Sequence, residues 1–163
     1  MTEQRLAEEF TDLPADFSLA ILMASAPSTS PWLDRQWDVL GVVAGARDAT
    51  PGPRLVRREG EVDHYLNEGF RLRLHVDECE SYYHNLRSPT PCCFVIATPD
   101  DAGVPVPFLV SLSFDEANAY QEGEEQVFRV PLPPELYRWC EQFVLRHYVP
   151  TKKKKRRLKD WRQ

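Results

Sequence analysis

At 163 residues, 42% of them hydrophobic and 28% charged, the chain is long enough for one well-buried domain and short for two. Its charge is segregated: every lysine lies in the last twelve residues, which hold eight basic residues and one acidic (net +7), so residues 1–151 carry −12 of the formal total of −5. A basic end of this kind attracts polyanions, latches onto an acidic body or docks on a partner; the acid-broken start and the short apolar runs give no sign of a secretion signal or a membrane span, and a cytoplasmic protein is expected.

Residues 1–16 read as an N-terminal extension, with Leu6, Phe10 and Leu13 on one side of a short frayed helix. Phe17 to Ala24 is apolar enough for a buried first strand, and Pro27 to Pro31 is a loop. From Trp37 to Ala44 both alternating sets are largely apolar, which predicts a second strand buried on both faces. Ala46 to Gly60 reads as a loop rich in Gly, Pro and Arg, with at most a short strand at Leu55–Val56. Phe70, Leu72, Leu74 and Val76 alternate with Arg71, Arg73 and His75, the pattern of a strand with one wet face. Asn67 to Gly69 reads as the turn leading into it from a partner strand at Asp63–Leu66.

Asp77 is placed to cap a helix running through Leu86, with Glu80 completing a capping box, and Pro89 and Pro91 end it. Cys92 to Thr98 is a buried strand; Asp100 to Gly103 turns, and Val104 to Phe114 returns as its hairpin partner. Pro105 and Pro107 remove two ladder donors on the same side, which places this strand at a sheet edge. Asp115 caps a short helix ending near Gln121, Gly123 breaks it, and Gln126 to Val130 is the last strand. Leu136, Trp139, Cys140, Phe143, Val144 and His147 form one stripe of a helix opened by Pro133–Pro134 and stopped by Pro150. The order predicts an α+β fold: a largely antiparallel curved sheet of about six strands with a C-terminal amphipathic helix. Residues 17–150 would make one domain, followed by a basic flexible tail over 151–163. A pleckstrin-homology-like barrel suits this order, and an open curved sheet with helices on one face suits it nearly as well.

Four cysteines, Cys79, Cys92, Cys93 and Cys140, are expected to be reduced and to pack as small hydrophobes. His75, Cys79 and His84 come nearest to a ligand spacing, but C-x-x-C and H-E-x-x-H are absent, so no metal and no cofactor are expected. There is no G-x-S-x-G and no glycine-rich phosphate loop, and His64, His84 and His147 have no evident acid and nucleophile companions, so no catalytic residue is assigned. The carboxylates at Asp77-Glu78-Glu80, at Asp115-Glu116 and from Glu122 to Glu125 read as caps and solvated surface rather than paired acid/base groups. Trp32, Tyr83, Asn85 and Asp115 are the residues from which a polar pocket could be assembled. Trp161 stands apart from the other aromatics, because charged tails rarely carry tryptophan. Leu158 and Trp161 would share one side of a helical turn, so Lys152, Lys153, Lys154, Lys155, Arg156 and Arg157 together with that pair read as a docking peptide.

Several stretches point jointly to a family: Pro31-Trp32 with Trp37 to Val42, Glu80 to Pro89, Val110 to Ala117, Gly123 to Val127, Val130 to Pro133, and Phe143 with His147-Tyr148 ahead of the tail. On these residues, from about Phe17 onward, the chain resembles a proteobacterial domain of unknown function often encoded beside genes for molybdenum-dependent formate dehydrogenase and its maturation factors. The resemblance carries over no catalytic residue. It implies a bacterial accessory protein in the assembly or regulation of a redox enzyme. The first expectation is therefore a non-enzymatic interaction protein whose partner is a redox-enzyme subunit or maturation factor and whose tail is the docking arm. The alternative is a polyanion binder that uses the tail on nucleic acid, opposed by the −12 body and by aromatics not interleaved with its arginines. A small enzyme of unassigned substrate, built around Tyr83, Asn85 and Asp115, is the third reading.

Overall fold

In the computed structural model, which describes residues 14–32, 34–45 and 52–149, two apolar strands each organise a sheet. β1 (Asp16–Pro27) pairs antiparallel with β2 (Arg35–Ala44) on one side and β4 (Val62–Arg73) on the other, and β3 (Gly52–Glu59) adds to β4. β5 (Cys92–Pro99) is flanked by β6 (Pro105–Ser111) and β7 (Gln126–Pro131) in a separate antiparallel sheet. A 3-10 turn at Val76–Glu78 and helix α1 (Cys79–Arg87) lead from β4 to β5. α2 (Phe114–Gln121) lies between β6 and β7 in the chain, and α3 (Pro134–His147) follows β7. Leu6, Phe10 and Leu13 of the N-terminal extension, and the tail from Lys152 to Trp161, lie outside the described residues.

This corrects the expectation of a single curved sheet of about six strands, barrel-like or open. The chain is α+β, but its strands form a four-stranded sheet, β2-β1-β4-β3, and a three-stranded one, β6-β5-β7, and neither closes. The edges give the reason. Closure would require an outer strand of one sheet to extend the ladder of the other. β6 is an edge, as its prolines predict, and Pro105 and Pro107 offer no N–H for such an extension. β3 is an edge whose eight residues are all exposed, and Arg54, Arg57 and Arg58 put charge where a further strand would pair.

Three bulges explain the strands that alternation misreads. In β2, Gly41 pairs with Leu22 and Val39 with Met23, so Leu40 is an extra residue. The alternation is reset there, and Val39 and Val42 both face the core while Leu40 and Val43 are exposed. β2 is thus an edge strand with one wet face, not a strand buried on both. In β4, Phe70 pairs with Leu19 and Asn67 with Ile21, so the segment read as a turn is a bulge at Glu68–Gly69, with Gly69 at φ +94°. In β3, Val56 is the extra residue between the pairs Leu55–Tyr65 and Arg57–His64. The strand read as mostly loop is held by a hairpin: Gly60, at φ +63°, takes the first place of the two-residue turn between Glu59 and Val62, the place type II′ turns reserve for glycine.

The core lies between the inward faces of the two sheets, α1 and α3. Leu19, Ile21 and Met23 of β1 meet Cys93 and Val95 of β5, Tyr82 and Leu86 of α1, and Leu136, Trp139, Cys140 and Val144 of α3. The stripe read on α3 faces inward except for His147, which is exposed and lies against the Phe143 ring at 4.5 Å between centroids. Both short helices start differently from expectation. Asp77 sits in the 3-10 turn, and the residue capping α1 is Glu78, which makes no side-chain cap bond and instead accepts from Ser113 Oγ at 2.6 Å. α2 is capped by Ser113 rather than Asp115: Ser113 Oγ accepts from the Glu116 N–H at 3.1 Å, the Ser-x-x-Glu arrangement of a helix start. Among the described residues no helix is long and apolar enough to cross a membrane.

Candidate binding site

Asn85 frames the site. From the buried side of α1 its Nδ2 donates to the carbonyls of Cys92 (2.8 Å) and Leu112 (2.9 Å), and its Oδ1 accepts from the Cys92 N–H (3.1 Å). One side chain thereby pins α1 to the start of β5 and to the residue following β6. A second tie, from the Asp115 N–H to Ser81 Oγ (3.3 Å), fixes the start of α2 against α1. Alongside these ties a cavity of about 960 Å³ opens between α1, the loop entering β5, the first turn of α2 and β7.

Its chemistry comes from a cross-strand pair. Phe94 and Arg129 stand directly opposite each other on β5 and β7, so they share one face of the small sheet. The Arg129 guanidinium carbon lies 5.6 Å from the Phe94 ring centroid and 5.1 Å from that of Phe114, and the two rings meet edge to face at 6.0 Å. Phe94 is buried, whereas Phe114 is 41% exposed. Among the described residues no carboxylate lies within ion-pairing distance of Arg129. The acids that line the cavity are Glu80 and Asp115, and Glu80 sits 3.8 Å from His84 Nε2.

The adjacent cysteines divide as strand geometry dictates. Cys92 lines the cavity and Cys93 points into the core. Burial pushes the Cys92 thiol up, and the charge of Arg129 pulls it partly back. Burial also pushes the Cys93 thiol far up and the Cys140 thiol up to about 12. All four cysteines are unbridged. Alkylation of the native protein at about pH 8, below the ordinary thiol value, should therefore reach Cys92 before Cys79, Cys93 and Cys140, and more slowly than in urea-unfolded protein. Mass mapping of the modified sites checks this; equal labelling of all four in the native state would take Cys92 off the cavity wall.

Of the four residues read as a polar pocket, two are brought together. Asn85 and Asp115 line the cavity. Tyr83 lies elsewhere on α1, stacked on Tyr148 at 4.9 Å and accepting from Arg87 Nη1 at 2.7 Å. Trp32 is 89% exposed in the turn between β1 and β2, where its backbone N–H donates to Ser30 Oγ at 3.4 Å. His75, Cys79 and His84 do not converge: Cys79 is buried, His75 is exposed, and His84 lines the cavity. Among the described residues no group of three or more His, Cys, Asp and Glu side chains could hold a metal ion. Strand periodicity places Phe94, Phe114 and Arg129 on strands and not at a site, and Ser113-Phe114-Asp115-Glu116 is the one local signal that places Phe114 at the start of a helix.

The model of a family described as a protein of unknown function matches residues 18–157, which takes in both sheets from Ser18 and the whole cavity. No curated protein and no solved structure matches the chain.

Proposed function

The chain belongs to that family, DUF3305, and we propose that it is a non-enzymatic interaction protein whose cavity receives a segment of a protein partner. One observation carries the reading: Arg129 lies over two phenyl rings in a cavity of about 960 Å³, with no carboxylate against it among the described residues. Apolar area with a single directional charge is the mix by which binding sites gain both affinity and orientation. The neighbouring groups favour binding over turnover. Burial keeps the Cys92 thiol up, and the polar atoms of Asn85 are occupied by backbone.

The partner implied by the resemblance, a redox-enzyme subunit or maturation factor, makes this an accessory role in assembly or regulation. The basic tail is the second arm of the same reading. Tyr148, directly after α3, stacks its ring on Tyr83 of α1, the helix that walls the cavity. A partner seated at the cavity would thus lie near the end of α3, which the tail follows in the chain.

The test is to purify the full-length chain from its native host, identify what accompanies it, and titrate that protein in purified form. Wild type, Phe114→Ala and Trp161→Ala are compared at two salt concentrations. Weaker binding for both variants and at higher salt is expected. Recovery of nucleic acid alone, with Trp161→Ala unchanged, or of no stoichiometric protein partner, would sink the reading.

A further inference from the structure

We propose that the cavity recognises a carboxylate carried next to an apolar group, and that Arg129 is the residue that holds it. The proposal deepens the binding reading above and rests on it. The Arg129 guanidinium carbon lies over the phenyl rings of Phe94 and Phe114, 5.6 Å and 5.1 Å from their centroids. A ring face attracts the charge but offers no lone pair, and among the described residues no carboxylate pairs with this guanidinium, so its N–H donors are left for a ligand's acceptor. A planar fork of donors matches the two oxygens of a carboxylate, which it can bind through two parallel hydrogen bonds. The charge of Arg129 is already felt inside the cavity, where it opposes the effect of burial on the Cys92 thiol.

Two further features narrow the class. Phe114 lines the cavity and is 41% exposed, so an apolar group bound beside the anion would pack against it. Glu80 and Asp115 line the same cavity. A phosphate carries close to two charges and a third terminal oxygen, and one guanidinium fork beside two carboxylates leaves more of that charge and that oxygen unpaired than it leaves of a monocarboxylate. A singly charged acid with an aromatic or aliphatic flank is the ligand that these walls admit. That chemistry has two sources, the free C-terminus of a polypeptide and a small carboxylic acid.

The experiment is an NMR titration of the full-length chain with four probes. They are N-acetyl-phenylalanine, its carboxamide, and one short peptide ending in phenylalanine with a free or an amidated C-terminus. The acids are expected to shift resonances of residues lining the cavity, and the amides to bind at least about tenfold more weakly, the worth of a charge-assisted hydrogen bond. Arg129→Gln should erase the difference between acid and amide, and Arg129→Lys should keep the preference at reduced affinity. Tighter binding by the free-ended peptide than by the single amino acid assigns the chain terminus as the source; equal or weaker peptide binding assigns a small acid. Acid and amide binding alike to wild type, no probe binding at the cavity, or a preference that survives Arg129→Gln overturns the proposal. If a purified partner binds wild type and Arg129→Gln equally, this inference falls while the interaction reading stands; if no partner is found, the interaction reading falls on its own test.

Discussion

Trp139→Ala should destabilise the protein by roughly 3–5 kcal/mol, the range for emptying a tryptophan-sized space in a core. Trp139 is 5% exposed and lies on the inward stripe of α3 with Leu136, Cys140 and Val144. Its ring is 5.4 Å from that of Phe17 on β1, and its Nε1–H donates to the Pro14 carbonyl at 3.0 Å. The side chain therefore fastens the last helix to the first strand. The packing outweighs the hydrogen bond. Pro14 is exposed, so water can replace the indole as donor to its carbonyl, and the net worth of the bond is about 1 kcal/mol. Trp139→Phe separates the two contributions: it removes the donor, keeps an aromatic ring, and should cost clearly less than alanine. Urea melts measure both. A loss below about 0.5 kcal/mol for Trp139→Ala, the usual range for a surface position, would mean that α3 is not docked on the core.

α3 was legible because its information is local: one stripe at helical spacing, two prolines at the start, and one face to bury. The β5–β6 hairpin was legible for the same reason, since Asp100 Oδ1 accepts from the N–H groups of Ala102 and Val104 within the turn itself. The division into two sheets was not legible. Alternation says which side chains share a face but not which strand lies alongside. A bulge adds one residue and inverts the alternation beyond it, so Leu40, Val56 and Gly69 each spoiled a reading that was sound on either side. β3 has no buried face to betray it, and only its hairpin glycine marks it.

The site failed in a related way. Large aromatics drew attention to Trp32 and Tyr83, yet the first is 89% exposed and the second is spent on Tyr148. The pair that gives the cavity its chemistry, Phe94 and Arg129, comes from two strands joined only by register. With Asp115 as the helix cap, Phe114 falls at the end of a strand. With Ser113 as the cap, Phe114 becomes the first helical residue and turns toward the cavity. Asn85 and Asp115, polar residues able to face a ligand, both line the cavity, but Asn85 is held there by its bonds to the backbone.

That role of Asn85 makes a sharp prediction. Asn85→Ala strands three backbone groups at once: the carbonyls of Cys92 and Leu112 and the Cys92 N–H. A buried polar group without a partner costs about 1–3 kcal/mol. The two Cys92 groups border the cavity, where water can partly replace the lost partner, so they belong at the low end. Leu112 is 1% exposed, and its carbonyl has no such relief. The sum is about 3–5 kcal/mol, with the cavity wall loosened along with the fold. Asn85→Asp discriminates a backbone clamp from a mere volume. Aspartate keeps the acceptor for the Cys92 N–H but turns the donating nitrogen into a second oxygen aimed at two carbonyls. Protonation restores one donor, so the folded state raises that carboxyl above its ordinary value near 3.9. A raised folded value gives stability that is intact below the unfolded value and is lost as pH climbs through the folded one. The aspartate variant should therefore be no better than alanine at about pH 7, and should gain on it as the pH falls toward about 4. Melts of wild type, Asn85→Ala and Asn85→Asp across that window measure the difference. A pH-independent gap between the two variants, or an alanine variant within about 0.5 kcal/mol of wild type, would mean that Asn85 does not clamp the backbone and that some other contact holds α1 against β5.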